Sequence, residues 1–264
     1  RKRSTVVVFT YTDKQLNELN QGKNVYSSNP EYAERKGYKI VTPSPKNKGE
    51  TNTIISDGKE FRVVATKSDT ETGFDGLAVA PIVNGKPDYK NVAVIAAGTD
   101  PDSPVNKSMF VSRDVNSAII AKKMYLSPQY KVADQFVKEI MDDPRYEVSQ
   151  LSGYSQGSYM LKVGAKYHIP TTTFNAWFKY GALTLGEKAF IENNPAMFID
   201  YRRKHDDVVR WNDFNHPEWY SGITDSMPST IHWLDGSSHK IGDWEFDPAT
   251  GQLVDGKGGK PLIS

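Results

Sequence analysis

The stretch that decides the fold is residues 146–159, which read Y-E-V-S-Q-L-S-G-Y-S-Q-G-S-Y. Within it, Gly153, Ser155 and Gly157 have the spacing G-x-S-x-G, which holds a serine hydroxyl clear of the backbone in a sharp strand-to-helix turn. The pattern of apolar residues predicts the strand at 147–151 and the helix at 158–166. Free N–H groups at the start of that helix favour an anion beside the hydroxyl. The stretch indicates a nucleophilic serine, and a structural turn rich in glycine and serine is the alternative.

Outward from this turn, strands alternate with helices, whereas the chain before residue 97 contains short strands with turn signals between them. We expect strands at 4–12, 53–56, 60–66, 76–83, 91–97, 172–176, 197–202 and 230–234, and helices at 114–125, 128–141 and 183–193. This order predicts an α/β sheet that is parallel around the turn, with antiparallel N-terminal strands extending one edge. We expect a single domain over residues 1–250 and a loose tail or linker over residues 251–264.

The composition is that of an ordinary globular chain and excludes several kinds of partner. Over 264 residues the net charge is +1, which gives no reason to expect a nucleic-acid partner. Cysteine is absent, which excludes disulfides and thiolate metal sites, and no residues have metal-ligand spacing, so we expect neither metal nor cofactor. The chain begins Arg1-Lys2-Arg3 without a signal-peptide pattern. We therefore expect an excised domain or a mature product whose missing flanks carry the targeting information.

A serine hydroxyl needs a neighbouring base, and the base needs an acid to fix its tautomer. His239 follows the last predicted strand on a loop of small residues, which suits a base, and His232 within that strand is the alternative. For the acid we favour Asp207, because the valines after it could pack behind a carboxylate that is turned inward. Asp206 and Asp200 are the alternatives for the acid. If either of them is the acid, Asp207 is a solvated surface charge.

A tetrahedral intermediate also requires N–H donors beside the nucleophile. The backbone amide of Gln156, directly after the serine, is one candidate. The other is Thr99, in the loop after an earlier strand, which could offer both its backbone N–H and its hydroxyl. An ordinary strand-end turn at Thr99 is the alternative.

These segments together are similar to a known family. The runs V-A-V-I-A-A-G-T-D (92–100), G-Y-S-Q-G (153–157), H-D-D-V-V (205–209) and S-S-H-K-I (237–241) resemble the class 3 lipase family of α/β hydrolases. The resemblance covers residues 76–244. It implies the α/β-hydrolase fold, a central and mostly parallel sheet flanked by helices. It also implies roles for five residues: Ser155 as nucleophile, Asp207 as acid, His239 as base, and Thr99 with Gln156 as oxyanion hole.

The chain departs from that family at two positions. Ala97 stands where an arginine usually precedes Gly-Thr, and the turn reads Tyr-Ser-Gln rather than His-Ser-Leu. The second departure is shared with cutinases, although cutinases normally carry disulfides. The chain is also similar to the lipase domains of exported toxins from Gram-positive bacteria.

The expected activity is hydrolysis of lipid carboxylic esters, with phospholipids first (a phospholipase A type), through an acyl-enzyme. Candidate substrate-binding residues are Tyr154, Phe110, Trp211 and Trp219, and for the aromatic cluster around the two tryptophans core packing is the alternative. The resemblance implies a secreted bacterial protein, with a lipid or membrane-interface substrate and with a flanking domain or an immunity or chaperone protein as partner. The rival readings are a cutinase-like hydrolase of small esters or thioesters, and a non-catalytic binding module of hydrolase fold.

Overall fold

A computed structural model describes residues 9–107, 110–212 and 229–263 of the chain. Its helices are α1 (Asp13–Leu19), α2 (Pro30–Lys36), α3 (Arg113–Met124), α4 (Gln129–Asp142), α5 (Met160–Tyr167), α6 (Leu185–Asn193) and α7 (Asp207–Asn212). Its strands are β1 (Ile40–Val41), β2 (Glu50–Thr51), β3 (Thr53–Ser56), β4 (Lys59–Ser68), β5 (Asp75–Val83), β6 (Lys86–Pro87), β7 (Val92–Ala96), β8 (Val105–Asn106), β9 (Val111–Ser112), β10 (Val148–Tyr154), β11 (Thr171–Phe174), β12 (Phe198–Arg203), β13 (Ile231–Leu234), β14 (Glu245–Phe246) and β15 (Leu253–Val254).

One mixed sheet carries the fold, in the strand order β13-β12-β11-β10-β7-β5-β4-β3, with β6 paired to β5. From β7 to β13 neighbouring strands are parallel, and from β3 to β7 they are antiparallel. The predicted parallel half and antiparallel N-terminal half are both confirmed. The expectation of a mostly parallel sheet is wrong, because the short turns of the N-terminal half permit only hairpin pairing.

Both faces of this sheet are covered. The side chains of β7 alternate between two clusters, with Val92, Val94 and Ala96 in one and Ala93 and Ile95 in the other. The first cluster includes residues of α4, α5 and α6, and the second includes residues of α1. A strand that is buried on both faces needs an apolar residue at every position, which explains the unbroken apolar run of β7. The described chain has an α/β fold.

The helices around residue 155 follow their sequence signals. Helix α3 begins one residue before its predicted start, and α4 ends one residue after its predicted end. Residues 155–159 form a 3-10 turn that leads into α5, so the helix of the predicted 158–166 segment starts at Met160. In the described part of the chain no helix has both the length and the apolar character needed to cross a membrane.

The C-terminal segment is part of the folded core. Strand β15 pairs antiparallel with β14, and Leu253 is only 1% exposed, packed in the same cluster as α1. The backbone N–H of Leu253 donates to Asp13 Oδ2 at 2.9 Å. The expectation of a loose tail from residue 251 is wrong for this segment, since two apolar residues in a polar run suffice to dock it. Residues 1–8, which include the start of the strand predicted at 4–12, lie outside the described residues. Residues 9–12 precede α1 and do not pair as a strand.

We expect Leu253→Ala to lower the free energy of unfolding by about 2–5 kcal/mol, because the substitution leaves a cavity in the core. The matched control is Gln252→Ala, at an exposed neighbouring position, which should change stability by less than about 0.5 kcal/mol. Urea denaturation followed by tryptophan fluorescence measures both. Equal, small effects of the two substitutions would contradict the docked position of this segment.

Candidate active site

The turn at Ser155 has the geometry that its sequence spacing predicts. Strand β10 lies between β11 and β7 in the parallel half of the sheet and ends at Tyr154, and the 3-10 turn begins with Ser155. Ser155 has φ +53°, a left-handed conformation that few residues other than glycine adopt. Its carbonyl accepts the backbone N–H of Trp177 at 2.9 Å. Residues in such conformations cost free energy and concentrate at functional sites.

The two glycines of the G-x-S-x-G run are required by close backbone contacts. A Cβ on Gly153 would lie 2.1 Å from the carbonyl oxygen of Gly157, and a Cβ on Gly157 would lie 2.5 Å from that of Ala96. Both contacts are with backbone atoms, which cannot move aside as a flexible side chain can. The turn therefore packs directly on the end of β7.

His239 connects the serine to a carboxylate. Its Nε2 lies 2.9 Å from Ser155 Oγ, and its Nδ1 lies 2.5 Å from Asp206 Oδ2. Asp206 is fully buried, whereas about a quarter of the His239 side chain is exposed. The arrangement fits the tautomer in which Nδ1–H donates to Asp206 while Nε2 accepts the serine hydroxyl proton. Such a chain can draw a proton from Ser155.

The carboxylate at His239 belongs to Asp206 rather than to Asp207, which the sequence analysis favoured. Helix α7 begins at Asp207, and the Oδ1 of Asp206 caps it by accepting the N–H groups of Val208 at 2.9 Å and Val209 at 3.3 Å. Capping turns the Asp206 side chain inward, while Asp207 lies exposed in the first helical turn. The sequence signal that would have distinguished the two was the helix start, because an N-cap residue precedes the first helical residue.

The other two alternatives have different surroundings. Asp200 is buried against Arg202, with its Oδ2 3.0 Å from Arg202 Nε, and it accepts the hydroxyl of Tyr180 at 2.7 Å. His232 lies half-buried on β13 with its ring centroid 6.0 Å from that of Tyr201, and burial lowers its pKa. Neither side chain is part of the hydrogen-bonded run from Ser155.

Tyr154 holds the loop that carries His239. Its hydroxyl donates to the backbone carbonyl of His239 at 2.6 Å, and the two rings lie 5.3 Å apart. Asn175 Nδ2 donates to the carbonyl of Ser238 at 3.2 Å. The expectation that Tyr154 binds substrate stays a prediction, and its contacts in the structure are with the loop of His239.

Gln156 and Thr99 lie together beside the serine. The side-chain amide of Gln156 donates to Thr99 Oγ1 at 3.0 Å, and its carbonyl oxygen accepts the hydroxyl of Ser127 at 2.7 Å. The loop that carries Thr99 approaches the turn so closely that a Cβ on Gly98 would lie 3.2 Å from Ser155 Cβ. The structure thus brings together at one sheet edge the loop after β7 and the turn after β10.

Of the remaining expected substrate-binding residues, the structure describes the side chain of Phe110 alone. Phe110 is 86% exposed at φ +55°, beside the short hairpin of β8 and β9, so it is not a core residue. Trp211 belongs to α7, but its side chain and the whole of Trp219 lie outside the described residues. Within the described ranges, no group of three or more histidine, aspartate or glutamate side chains could hold a metal ion.

No protein-family model matches the chain, and no curated protein matches it. Among solved structures, it is similar to a triacylglycerol lipase from Penicillium expansum, with 14% identity, coverage of 74% of each chain and a TM-score of 0.34. It is also similar to the extracellular lipase LipA from Serratia marcescens, with 13% identity and a TM-score of 0.39. That match covers 76% of this chain but only 31% of the Serratia chain. Similarities this low assign neither a family nor an activity to the chain.

We expect Gly153→Ala to lower the free energy of unfolding by about 1–3 kcal/mol or more, because the new methyl group meets backbone that cannot yield. Gly186→Ala is the matched control, since a Cβ there meets only Thr184 Oγ1, at 4.0 Å, in the exposed first turn of α6. That substitution should be neutral or slightly stabilising. Chemical denaturation compares the two variants, and equal stabilities would contradict the close contact at the turn.

Proposed function

We propose that this protein is a serine carboxylic-ester hydrolase of the α/β-hydrolase type that cleaves lipid acyl esters. The observation that carries the proposal is the continuous run from Ser155 Oγ through the His239 ring to Asp206, with distances of 2.9 and 2.5 Å. It begins at a turn that holds the serine at positive φ at the carboxyl end of a central parallel strand. Nucleophile, acid and base occur in the chain order Ser, Asp, His, which is the order typical of α/β hydrolases.

In the proposed reaction, His239 Nε2 takes the hydroxyl proton as Ser155 Oγ attacks the ester carbonyl carbon. Asp206 keeps the proton on Nδ1 in the resting enzyme and stabilises the imidazolium that forms. Collapse of the tetrahedral intermediate breaks the ester C–O bond, and His239 passes its proton to the leaving alcohol. Water, deprotonated by the same nitrogen, then attacks the acyl-enzyme and releases the carboxylic acid.

The negative oxygen of the intermediate needs donors that are already in place. We assign this role to the backbone N–H of Gln156 and to Thr99, through its N–H or its hydroxyl. The hydrogen bond of 3.0 Å between the Gln156 side chain and Thr99 Oγ1 supports the assignment, because it ties the two donors into one unit.

The proposal of a lipid substrate rests mainly on the family resemblance. Its support in the structure is the exposure of three large apolar side chains, Phe110 at 86%, Met124 at 73% and Leu185 at 86%.

Within lipids we propose phospholipids first. A secreted bacterial protein with toxin character, and an immunity, chaperone or flanking-domain partner, remain predictions from the family resemblance.

We expect Ser155→Ala to lower fatty-acid release from phosphatidylcholine vesicles by about 10⁶-fold, because no other group in the run can form the acyl-enzyme. Ser158→Ala is the matched control, a buried serine of the same turn outside the hydrogen-bonded run, and it should keep the wild-type rate. A fluorophosphonate probe followed by peptide mass analysis should label Ser155 in the wild type and in Ser158→Ala. It should not label the Ser155→Ala variant.

An unchanged rate for Ser155→Ala would refute the mechanism. If the probe labels Ser155 and the protein hydrolyses short soluble esters but not phospholipid vesicles, the result would favour a cutinase-like hydrolase. A folded protein that neither takes the label nor hydrolyses any ester would favour the binding module.

The identity of the acid has its own test. We expect Asp206→Asn to lower kcat by about 10⁴-fold, because the amide no longer selects the productive tautomer of the histidine. Asparagine caps a helix as well as aspartate does, so α7 should persist. Asp207→Asn should leave kcat within about threefold of the wild type, since an exposed charge contributes little. A larger loss in the Asp207 variant would restore the assignment that the sequence favoured.

A further inference from the structure

A second aspartate, Asp114, lies beneath the loop that carries Thr99. It occupies the first turn of α3 and is 1% exposed. Its Oδ2 accepts the backbone N–H of Asp100 at 2.7 Å, and its Oδ1 lies 3.4 Å from Gln129 Nε2. The carboxyl group therefore fastens the residue directly after Thr99 to helix α3.

The backbone of the same residue is bonded to the other side of the site. The carbonyl oxygen of Asp114 accepts Gln156 Nε2 at 3.1 Å, and that amide also donates to Thr99 Oγ1 at 3.0 Å. One residue thus contacts the loop of Thr99 through its side chain and Gln156 through its main chain. Asp114 is therefore hydrogen-bonded both to the loop of Thr99 and to the side chain that bonds Thr99.

The space around the carboxyl group is closed. A Cβ on Gly73 would lie only 1.7 Å from Asp114 Oδ1, and Gly73 has φ +78°, where a side chain is strained in any case. The backbone N–H of Asp114 in turn donates to Ser103 Oγ at 3.3 Å. With a glycine on one side and fixed polar partners on the others, the carboxyl group has no alternative position.

The charge state of this group follows from its burial. Burial raises the pKa of Asp114 to about 8, against the lowering effect of the N–H of Asp100. Asp75, whose own pKa burial raises to about 7, lies close enough to oppose ionisation further. The charged and titratable groups that face Asp114 are Asp75, Asp100, Arg113, Tyr26 and Tyr159, and Arg35 pairs with Asp100.

We infer that Asp114 is a positioning residue, which holds the N–H of Asp100 and thereby keeps Thr99 beside Ser155 for the developing oxyanion. The inference rests on the proposed hydrolase function. A loop released from this bond would misplace the donor, and a displacement of about 1 Å costs about 10²-fold in rate. Because the oxyanion exists only in the transition state, the loss falls on kcat and leaves KM unchanged.

A purely structural role would have a different signature. A buried carboxyl that only fills space in the first turn of α3 predicts lower stability when it is replaced, with kcat intact. The two roles are separated by comparing an acceptor-keeping with an acceptor-lacking variant.

The test uses Asp114→Asn and Asp114→Leu on the full chain, with a short soluble ester as substrate. Asparagine keeps an acceptor oxygen for the N–H of Asp100 and matches the neutral acid, so kcat at pH 7 should stay within about threefold of the wild type. Leucine fills the volume without an acceptor, so kcat should fall by about 10²-fold at unchanged KM. The matched control is Asp75→Asn, which replaces another buried carboxyl, one that accepts the hydroxyl of Ser68, and its kcat should equal that of the wild type at pH 6, where both carboxyls are protonated.

The pH profile gives a second measurement that needs only the asparagine variant to fold. As pH rises through about 8 the carboxyl of Asp114 ionises, and its negative charge opposes an oxyanion forming nearby, so wild-type kcat should fall. Asp114→Asn should lack this fall. Asp75→Asn should keep the alkaline fall of kcat. The fall should occur at lower pH, because the charge of Asp75 no longer opposes ionisation of Asp114.

Two results would overturn the inference while leaving the proposed function intact. One is a folded Asp114→Leu variant with wild-type kcat, and the other is an Asp114→Asn variant with an unchanged alkaline fall. If the leucine variant does not fold, the pH profile decides alone. A wild-type protein that hydrolyses no ester and takes no fluorophosphonate label would refute the proposed function itself, and this inference with it.

Discussion

The contact between the end of β7 and the turn at Ser155 is the constraint on which the rest of the site depends. Backbone meets backbone there, so that a Cβ at Gly157 would lie 2.5 Å from the Ala96 carbonyl oxygen. A Cβ at Gly98 would likewise lie 2.7 Å from the Tyr154 carbonyl oxygen. Holding Ser155 at positive φ costs about 1–3 kcal/mol, and the burial of β7 on both faces offsets that cost.

The same strand joins the two halves of the sheet. Strand β7 pairs antiparallel with β5 and parallel with β10, so the hairpin half supports the half that carries the serine. The segments after β7, β10, β12 and β13 carry Thr99, Ser155, Asp206 and His239. Because these four strands run in one direction, their carboxyl ends meet at one edge of the sheet, where side chains far apart in sequence converge.

The sequence predicted the parts of the fold that depend on local pattern. The strand before Ser155, helices α3 and α4 and the hairpin half all follow from periodicity and turn residues. The docked C-terminus was misjudged, because it depends on contacts between distant segments. Leu253 bonds to Asp13 across 240 residues, and nothing near Leu253 in the chain indicates that partner.

By itself, the sequence determined the turn that holds Ser155 and favoured His239 over His232 as the proposed base, since glycine spacing and a loop of small residues are local features of the chain. Tertiary structure alone decided which of two adjacent aspartates meets the histidine. That choice depends on where α7 starts, because the N-cap side chain turns inward and the next one turns out. It also decided the place of Asp114, which is buried because the start of α3 meets the loop after β7. Burial is what gives a carboxyl group an altered pKa.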